Sequence, residues 1–172
     1  SQACVLSGST SAISRIEAEL VQHEVACRVV GTRHAFHSSL MAPQCNALRE
    51  VLNSITLHPP TIPYVSNLTG TWITPEQATS PDYWCRHLCQ TVQFASGVGQ
   101  LLESSDQVLL EVGPGQTLSS YAKQHEQCPP ERVRRVHSTL RDHWLRRSDQ
   151  QFLLQTLGKL WLAGITPDWK GF

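Results

Sequence analysis

The pentapeptide His-Ala-Phe-His-Ser at residues 34–38 contains the side chains best suited to chemistry. It follows a predicted strand and precedes a helical pattern, so His37 stands where side chains commonly project into a cleft. An imidazole titrates near neutral pH and can therefore take a proton from a nucleophile and return it to a leaving group. The alternative is a structural histidine followed by a serine, Ser38, that caps the next helix. The local pattern leaves both interpretations open.

Two other motifs could bind ligands. Cys85, His87 and Cys89 are three donors at alternate positions, but their spacing matches no common zinc pattern, and in a helix they do not share one face. Gly-Pro-Gly at residues 113–115 could hold a phosphate at a helix N-terminus, but it lacks the lysine and further glycines of a nucleotide loop. We expect a structural turn at the second motif and no metal site at the first.

Alternating strand and helix patterns must position these residues. Short apolar runs predict strands at residues 3–6, 25–30, 62–66, 107–112 and 132–136. Helical spacing and capping residues predict helices that begin near residues 11, 40, 75, 81, 96, 116 and 149, the last ending before Gly164. The alternation predicts an α/β core with mostly parallel strand pairing.

Composition and charge narrow the function classes. The chain has 172 residues, of which 40% are hydrophobic and 16% charged, as expected for one globular domain with a core. Fourteen basic and fourteen acidic residues balance, and no apolar run approaches membrane-spanning length, so we expect neither a nucleic-acid nor a membrane partner. Six cysteines without a compact spacing predict reduced thiols in a cytoplasmic protein.

Blocks spread over the whole chain resemble, in order, the acyltransferase domain of modular (type I) polyketide synthases, in the malonyl-CoA:acyl carrier protein transacylase family. Residues 34–38 resemble the family's second signature motif. The other similar blocks are residues 4–8, Val-Ser-Asn-Leu-Thr-Gly at 65–70, Tyr-Trp-Cys-Arg-His-Leu at 83–88, Glu-Val-Gly-Pro-Gly at 111–115, and residues 157–164 with Pro-Asp-Trp at 167–169.

The resemblance implies an α/β fold, the C-terminal part of an α/β-hydrolase-like acyltransferase core with part of a ferredoxin-like small subdomain. It divides the chain into a partial ferredoxin-like subdomain at residues 1–31, the C-terminal part of the core at 32–128 and a post-acyltransferase linker at 129–172. Because an apolar run follows Ser1 and Gln2 directly, we expect the chain to begin inside a larger domain.

The resemblance also implies a Ser-His dyad in which His37 is the general base. The main-chain carbonyl of His87 would accept a hydrogen bond from it and fix its tautomer. His34, Ala35 and Phe36 would set substrate selectivity. In this family His-Ala-Phe-His accompanies malonyl units and Tyr-Ala-Ser-His accompanies methylmalonyl units, and Phe36 would occupy the volume that a methyl branch needs. Core packing is the alternative explanation for Phe36.

The serine nucleophile of the family is not found in this sequence. In the family it stands in a Gly-His-Ser-X-Gly elbow, and no Gly-X-Ser-X-Gly occurs among the 172 residues. The elbow, the oxyanion-hole donors and the arginine that binds the malonyl carboxylate would lie upstream of Ser1. Ser38 and Ser39 are poor substitutes, because a residue adjacent to His37 points away from its imidazole. The chain alone is therefore predicted to be inactive.

The implied reaction moves a malonyl-type extender from CoA to the phosphopantetheine thiol of an acyl carrier protein, with no cofactor bound by this chain. The expected partners are the missing N-terminal half of the acyltransferase, the acyl carrier protein and the adjacent ketosynthase domain. Arg132, Arg134 and Arg135 could contact the acidic carrier protein or form only a solvated strand edge.

The competing hypothesis is a non-catalytic acyltransferase remnant that serves interdomain docking. In that case Trp161, Trp169 and Phe172 would face a neighbouring domain.

Overall fold

The computed structural model describes residues 3–171, in which a series of helices is followed by two short strands with helices between and after them. The docking role predicted for Phe172 therefore lies outside the described residues. The elements are α1 (Thr10–Gln22), a 3₁₀ helix (Ser39–Gln44), α2 (Cys45–Asn53), α3 (Pro75–Ala78), α4 (Pro81–Cys89), α5 (Phe94–Leu102), β1 (Leu109–Glu111), α6 (Thr117–Lys123), α7 (Pro130–Val133), β2 (Val136–Ser138) and α8 (Asp149–Leu162).

Four of the helix starts predicted from capping residues are confirmed. Ser9, Ser80 and Ser148 each accept a hydrogen bond from the amide three residues further on. Thr74 and Gln77 form a complete capping box at the start of α3. An N-cap of this kind stabilises a helix by about 1 kcal/mol, because it satisfies an amide that has no partner within the helix.

The sheet consists of β1 and β2, which pair in parallel with Glu111 opposite Ser138. A parallel pair needs a crossover connection, and α6 and α7 lie on it. Ser119 Oγ in α6 donates to the carbonyl of His137, and Thr156 Oγ1 in α8 donates to that of Ser138. These bonds tie both helices to β2, and the arrangement agrees with the predicted α/β class.

Three predicted strands are wrong. Residues 3–6 and 25–30 are irregular, and Val5 and Val29 are exposed. A strand is stabilised by a hydrogen-bonded neighbour, and no segment within residues 3–171 pairs with either run. Residues 62–66 form only an isolated antiparallel bridge between Val65 and Trp72, because the nearby Pro63 has no amide to donate to a ladder.

Prolines also move two other elements from their predicted positions. Pro130 starts the short helix α7, which includes the first two residues of the strand predicted at residues 132–136, so the strand begins only at Val136. Pro43 stands within the helix predicted to begin near residue 40, and the segment before Cys45 is 3₁₀ rather than α.

The described residues form two compact units, one comprising Cys4–Gly97 and the other the remainder. Tyr83, Cys85 and Ala78 are buried in the first unit, and Val98 and Val136 are among the buried residues of the second. The domain boundaries at residues 31 and 128 stay predictions. Within residues 3–171 no helix has both the length and the apolar character needed to cross a membrane.

Candidate active site

The C-terminal turn of α4 is the framework of the site. An α-helix ends with carbonyls that have no partner within the helix. In α4 the carbonyl of Arg86 accepts from the amide of Gln90, whereas those of His87 and Leu88 accept from a residue far away in the sequence. That residue is His37, which precedes His87 by 50 positions.

The backbone of His37 is held in a sparsely populated conformation. Its φ is +61°, in the left-handed region, which costs a residue with a Cβ about 1 kcal/mol or more. Its amide donates to the Leu88 carbonyl at 3.0 Å. Such strain persists only where the surrounding structure holds it, and it often marks a functional position. No sequence signal pointed to this backbone conformation.

The imidazole of His37 is fixed by the same turn. Its Nδ1 lies 3.0 Å from the carbonyl oxygen of His87, and only an Nδ1–H can donate to a carbonyl. This bond selects the tautomer in which Nε2 keeps its lone pair and can accept a proton. The structure thus brings together the two residues that the resemblance singled out, while the catalytic role of His37 stays a prediction.

The ring of His87 adds a contact that the sequence did not predict. It meets the ring of His37 edge to face, with centroids 5.5 Å apart, and stacks on Tyr83 at 6.4 Å. Burial lowers the pKa of His87, and the neighbouring His37 lowers it further. His87 is therefore neutral at pH 7, so an aromatic but uncharged wall lies beside the imidazole of His37.

A fully buried hydrogen bond supports this wall. Ser66 Oγ and the hydroxyl of Tyr83 lie 2.7 Å apart, and both side chains are almost completely buried. Ser66 Oγ also accepts from the amides of Leu68 and Thr69, which closes the turn after residue 66. The serine before this turn was visible in the sequence, but its partner Tyr83 is distant in the chain. Sequence reasoning therefore missed the pair.

The predicted selectivity residues lie immediately before His37. Phe36 and His34 pack edge to face at 5.8 Å. Phe36 is 43% exposed, so packing in the core of this chain does not account for it. His34 is exposed as well, and Ala35 is half-buried. The role of these three residues in substrate choice stays a prediction.

Ser38 acts as the predicted cap. Its Oγ donates to the Ala35 carbonyl at 2.7 Å and accepts from the amide of Leu40 at 3.3 Å. Both contacts engage the hydroxyl with nearby backbone. The following residue, Ser39, is exposed at the start of the 3₁₀ helix. Neither serine is paired with His37 among the hydrogen bonds of the described chain.

The Cys85, His87 and Cys89 motif is divided between two sides of α4. Cys85 and Cys89 both contact Cys45, whereas His87 turns its ring to His37. Within the part of the chain that the structure describes, no three histidine, cysteine, aspartate or glutamate side chains are placed to hold a metal ion.

The amides at the start of α6, after the Gly-Pro-Gly turn, already bind a side chain of this chain. The Glu111 carboxylate accepts from the amides of Leu118 and Ser119 at 3.1 and 2.8 Å. These are the amides that a phosphate at this helix N-terminus would need. The structure therefore supports a structural turn at residues 113–115.

Two of the three arginines in the basic cluster at residues 132–135 bind main-chain carbonyls. Arg132 Nη1 donates to the Leu102 carbonyl at the end of α5. Arg135 donates to the carbonyls of Asp106 and Gln107. Only Arg134 of the three is exposed. A contact with an acidic partner would therefore depend mainly on Arg134.

Comparison with known proteins gives one consistent family. The model of the acyl transferase domain family matches residues 1–167. A phenolphthiocerol/phthiocerol polyketide synthase polypeptide of Mycobacterium tuberculosis is 33% identical over 168 residues, which are 96% of this chain and 11% of that polypeptide. This chain thus spans about a tenth of the length of that relative.

Solved acyltransferase domains also share the fold. The acyl transferase domain of SpnD, solved in complex with 2-(pent-4-yn-1-yl)malonyl, is 38% identical with a TM-score of 0.82, covering 91% of this chain and 38% of that one. The acyl transferase domain of ZmaA is 34% identical with a TM-score of 0.81, covering 95% of this chain and 36% of its own. The predicted resemblance and fold class are confirmed by these matches.

Proposed function

Because the chain belongs to the acyl transferase domain family, in the form found in polyketide synthases, we propose that it supplies the general base of an acyltransferase. The reaction loads a malonyl-type extender from CoA onto an acyl carrier protein. The observation that carries this proposal is the bond of 3.0 Å between His37 Nδ1 and the His87 carbonyl. It orients the imidazole and leaves Nε2 as the proton acceptor.

In the first half of the reaction, His37 Nε2 takes the proton from a serine hydroxyl supplied outside this sequence. The serine oxygen attacks the thioester carbonyl of malonyl-CoA, and a tetrahedral intermediate forms. When the carbon–sulfur bond breaks, the imidazolium returns the proton to the CoA sulfur. A malonyl-serine ester and free CoA result.

The second half repeats these steps with another thiol. His37 takes the proton from the phosphopantetheine thiol of the carrier protein, and the sulfur attacks the serine ester. The carbon–oxygen bond breaks, and His37 returns the proton to the serine oxygen. The chain contributes base and acid in both halves and needs no resident cofactor for either.

The substrate class is supported by two observations. The SpnD domain was solved with a substituted malonyl group, and in this chain Phe36, directly before His37, has 43% of its surface exposed. His34 packs against that ring, and Ala35 lies between the two in sequence. The three residues therefore form one surface, which is distinct from the wall formed by the His87 ring. We propose that this surface of His34, Ala35 and Phe36 favours malonyl over branched extenders.

The proposed partners follow from the reaction. This chain matches about a tenth of a large polyketide synthase polypeptide, so the N-terminal part of the acyltransferase, the acyl carrier protein and a ketosynthase would lie in the same assembly. Because CoA thioesters are the substrates, we place the assembly in the cytoplasm.

Malonyl transfer to a carrier protein tests the proposal. The preparation combines this chain with a polypeptide that carries the serine elbow, and each part is also assayed alone. We expect labelled carrier protein only when both parts are present. Label trapped on Ser38 or Ser39 of the isolated chain would contradict the proposal, because the chain would then need no external nucleophile.

A docking module is the second candidate, since α8 and the segment after it expose large apolar side chains. Trp161 is 59% and Leu162 82% exposed, and Trp169 is 55% exposed. The same assay separates the two functions: a docking module would bind its neighbours without transfer in any combination of parts.

A further inference from the structure

Two thiols meet next to the turn that holds His37. Cys45 is the first residue of α2 and Cys89 the last residue of α4. Their Sγ atoms lie 3.3 Å apart, and both cysteines are half-buried, free thiols. In a covalent disulfide the sulfurs are about 2.05 Å apart, so the two sulfurs would have to approach each other by roughly 1.2 Å.

The same two helices are joined by further sulfur contacts. Cys45 Sγ donates to the carbonyl of Cys85 at 3.7 Å, and Cys85 Sγ donates to the carbonyl of Cys45 at 3.4 Å. The start of α2 is therefore held to α4 in a defined orientation.

The segment from His37 to Cys45 is consequently attached to α4 at both ends. At its beginning, the His37 amide donates to the Leu88 carbonyl. At its end, the Cys45 sulfur contacts Cys89, the residue directly after Leu88. A covalent bond at one end would restrain opening at the other, because both ends rest on the same helical turn.

We propose that Cys45 and Cys89 are a modification site at which a peroxide converts the two thiols to a reversible disulfide that ties the His37 segment to α4. This inference is independent of acyl transfer, since it concerns only this chain. A protein that carries a base on this segment would thereby gain a covalent restraint under oxidising conditions.

The chemistry balances with hydrogen peroxide as the oxidant. One thiolate attacks a peroxide oxygen, the oxygen–oxygen bond breaks, and after protonation a sulfenic acid and one water are formed. The second thiol attacks the sulfenic sulfur, the sulfur–sulfur bond forms, and a second water leaves. Two thiols lose two electrons and two protons, and a dithiol reductant reverses the change.

Burial affects both the access of peroxide to the sulfurs and the pKa of the Cys89 thiol. Cys85 is only 4% exposed, so it is shielded from peroxide. Burial raises the pKa of the Cys89 thiol, and its contact with Cys45 raises it further. Because the thiolate is the reactive form, attack on peroxide by Cys89 should accelerate as the pH rises.

Peptide mapping after oxidation tests the pairing. The native chain is treated with hydrogen peroxide, remaining thiols are alkylated, and the digest is analysed by mass spectrometry. We expect a Cys45–Cys89 linkage in large excess over any other, in the native chain and in Cys128→Ser. A mixture of linkages without this preference, or loss of both thiols to sulfinic acids, would overturn the proposal.

Amide exchange at His37 tests the restraint. Its amide is protected by the bond to Leu88, so its exchange rate reports how often the segment opens. We expect oxidation to slow this exchange about tenfold in the native chain and a dithiol to restore the original rate. Cys89→Ser should show no response to peroxide, whereas Cys128→Ser should respond as the native chain does. Unchanged exchange in an oxidised chain that contains the linkage would refute the tie.

Discussion

Two helix ends in this molecule are completed by residues outside the helix, with different outcomes. At the C-terminus of α4, the amide and the ring of His37 donate to two carbonyls. At the N-terminus of α6, the carboxylate of Glu111 accepts from two amides. Each arrangement satisfies backbone groups that the helix itself leaves without partners.

The difference lies in what each side chain has left to offer. Glu111 uses one oxygen on Leu118 and the other on Ser119, so the end of α6 is closed by a structural bond. His37 uses Nδ1 alone, and its second nitrogen keeps a lone pair for proton exchange. A helix end thus becomes a candidate site when the group that completes it retains an atom that can still exchange a proton.

The largest expected effect comes from removing the base. In an acyltransferase that contains this chain and the serine elbow, His37→Ala should lower the transfer rate by about 10²–10⁴. Because His37 has a positive φ, His37→Asn provides a second variant that tolerates this conformation and should be equally inactive. Transfer to the carrier protein is the measurement, and His58→Ala, at an exposed position, is the control. Near-native turnover in either His37 variant would rule out the base.

A smaller effect is expected on substrate choice. Phe36→Ser should raise the use of methylmalonyl-CoA relative to malonyl-CoA by about tenfold or more, since one methyl group in an apolar pocket is worth about 1–3 kcal/mol. Because Phe36 is exposed, the stability of the chain should change little. Competition between the two CoA esters gives the ratio, and Ile62→Ser removes an exposed apolar side chain elsewhere as a control. An unchanged ratio would leave Phe36 without a selective role.

The end of α6 should show the opposite pattern. Glu111→Ala removes both acceptors and should lower the free energy of unfolding by about 1–2 kcal/mol, a charge-assisted pair discounted for partial exposure. The transfer rate per folded molecule should stay the same. Urea unfolding is the measurement, with Glu126→Ala in an exposed loop as the control. A loss of transfer without a loss of stability would contradict the assignment of Glu111 to structure.

Local features of this fold could be predicted from sequence, and distant pairings could not. The caps Ser9, Thr74 and Ser148 lie within three residues of the amides they bind, so a short window contains the whole interaction. The strand predicted at residues 3–6 is wrong, because an apolar run does not indicate which segment it would pair with. None of the described segments pairs with it.

The candidate site shows the same difference between features found from the sequence and contacts between distant segments. The motif at residues 34–38 and the carbonyl of His87 were found through a resemblance that spans the whole chain. The His87 ring, the pair of Ser66 with Tyr83 and the pair of Cys45 with Cys89 join segments 17 to 50 positions apart. Each of these residues has an ordinary local context, so only the folded chain identifies them.

The smallest expected effect concerns pH, and it involves one histidine in each compact unit. Burial lowers the pKa of His137, as do the charges of Lys159 and Lys123, and burial together with His37 lowers that of His87. Below the ordinary value of 6.5 the unfolded chain therefore binds more protons than the folded chain. The free energy of unfolding should be greatest above about pH 7 and should fall as the pH drops through 6.5 towards the folded values. Urea unfolding across this range should show a shallower dependence in His137→Gln and the native dependence in the exposed control His58→Gln.

Titration of the single histidines separates the two causes at His87. Burial is its larger cause and stays in place when His37 is changed, whereas the charge of His37 disappears in His37→Asn. The pKa of His87, followed through its ring signals by NMR, should therefore lie below 6.5 in the native chain and rise part of the way towards that value in the variant. The pKa of His137 should not move, because its causes are burial, Lys159 and Lys123. A His87 signal that titrates at or above 6.5, or that ignores His37→Asn, would mean that the two rings do not meet at the end of α4.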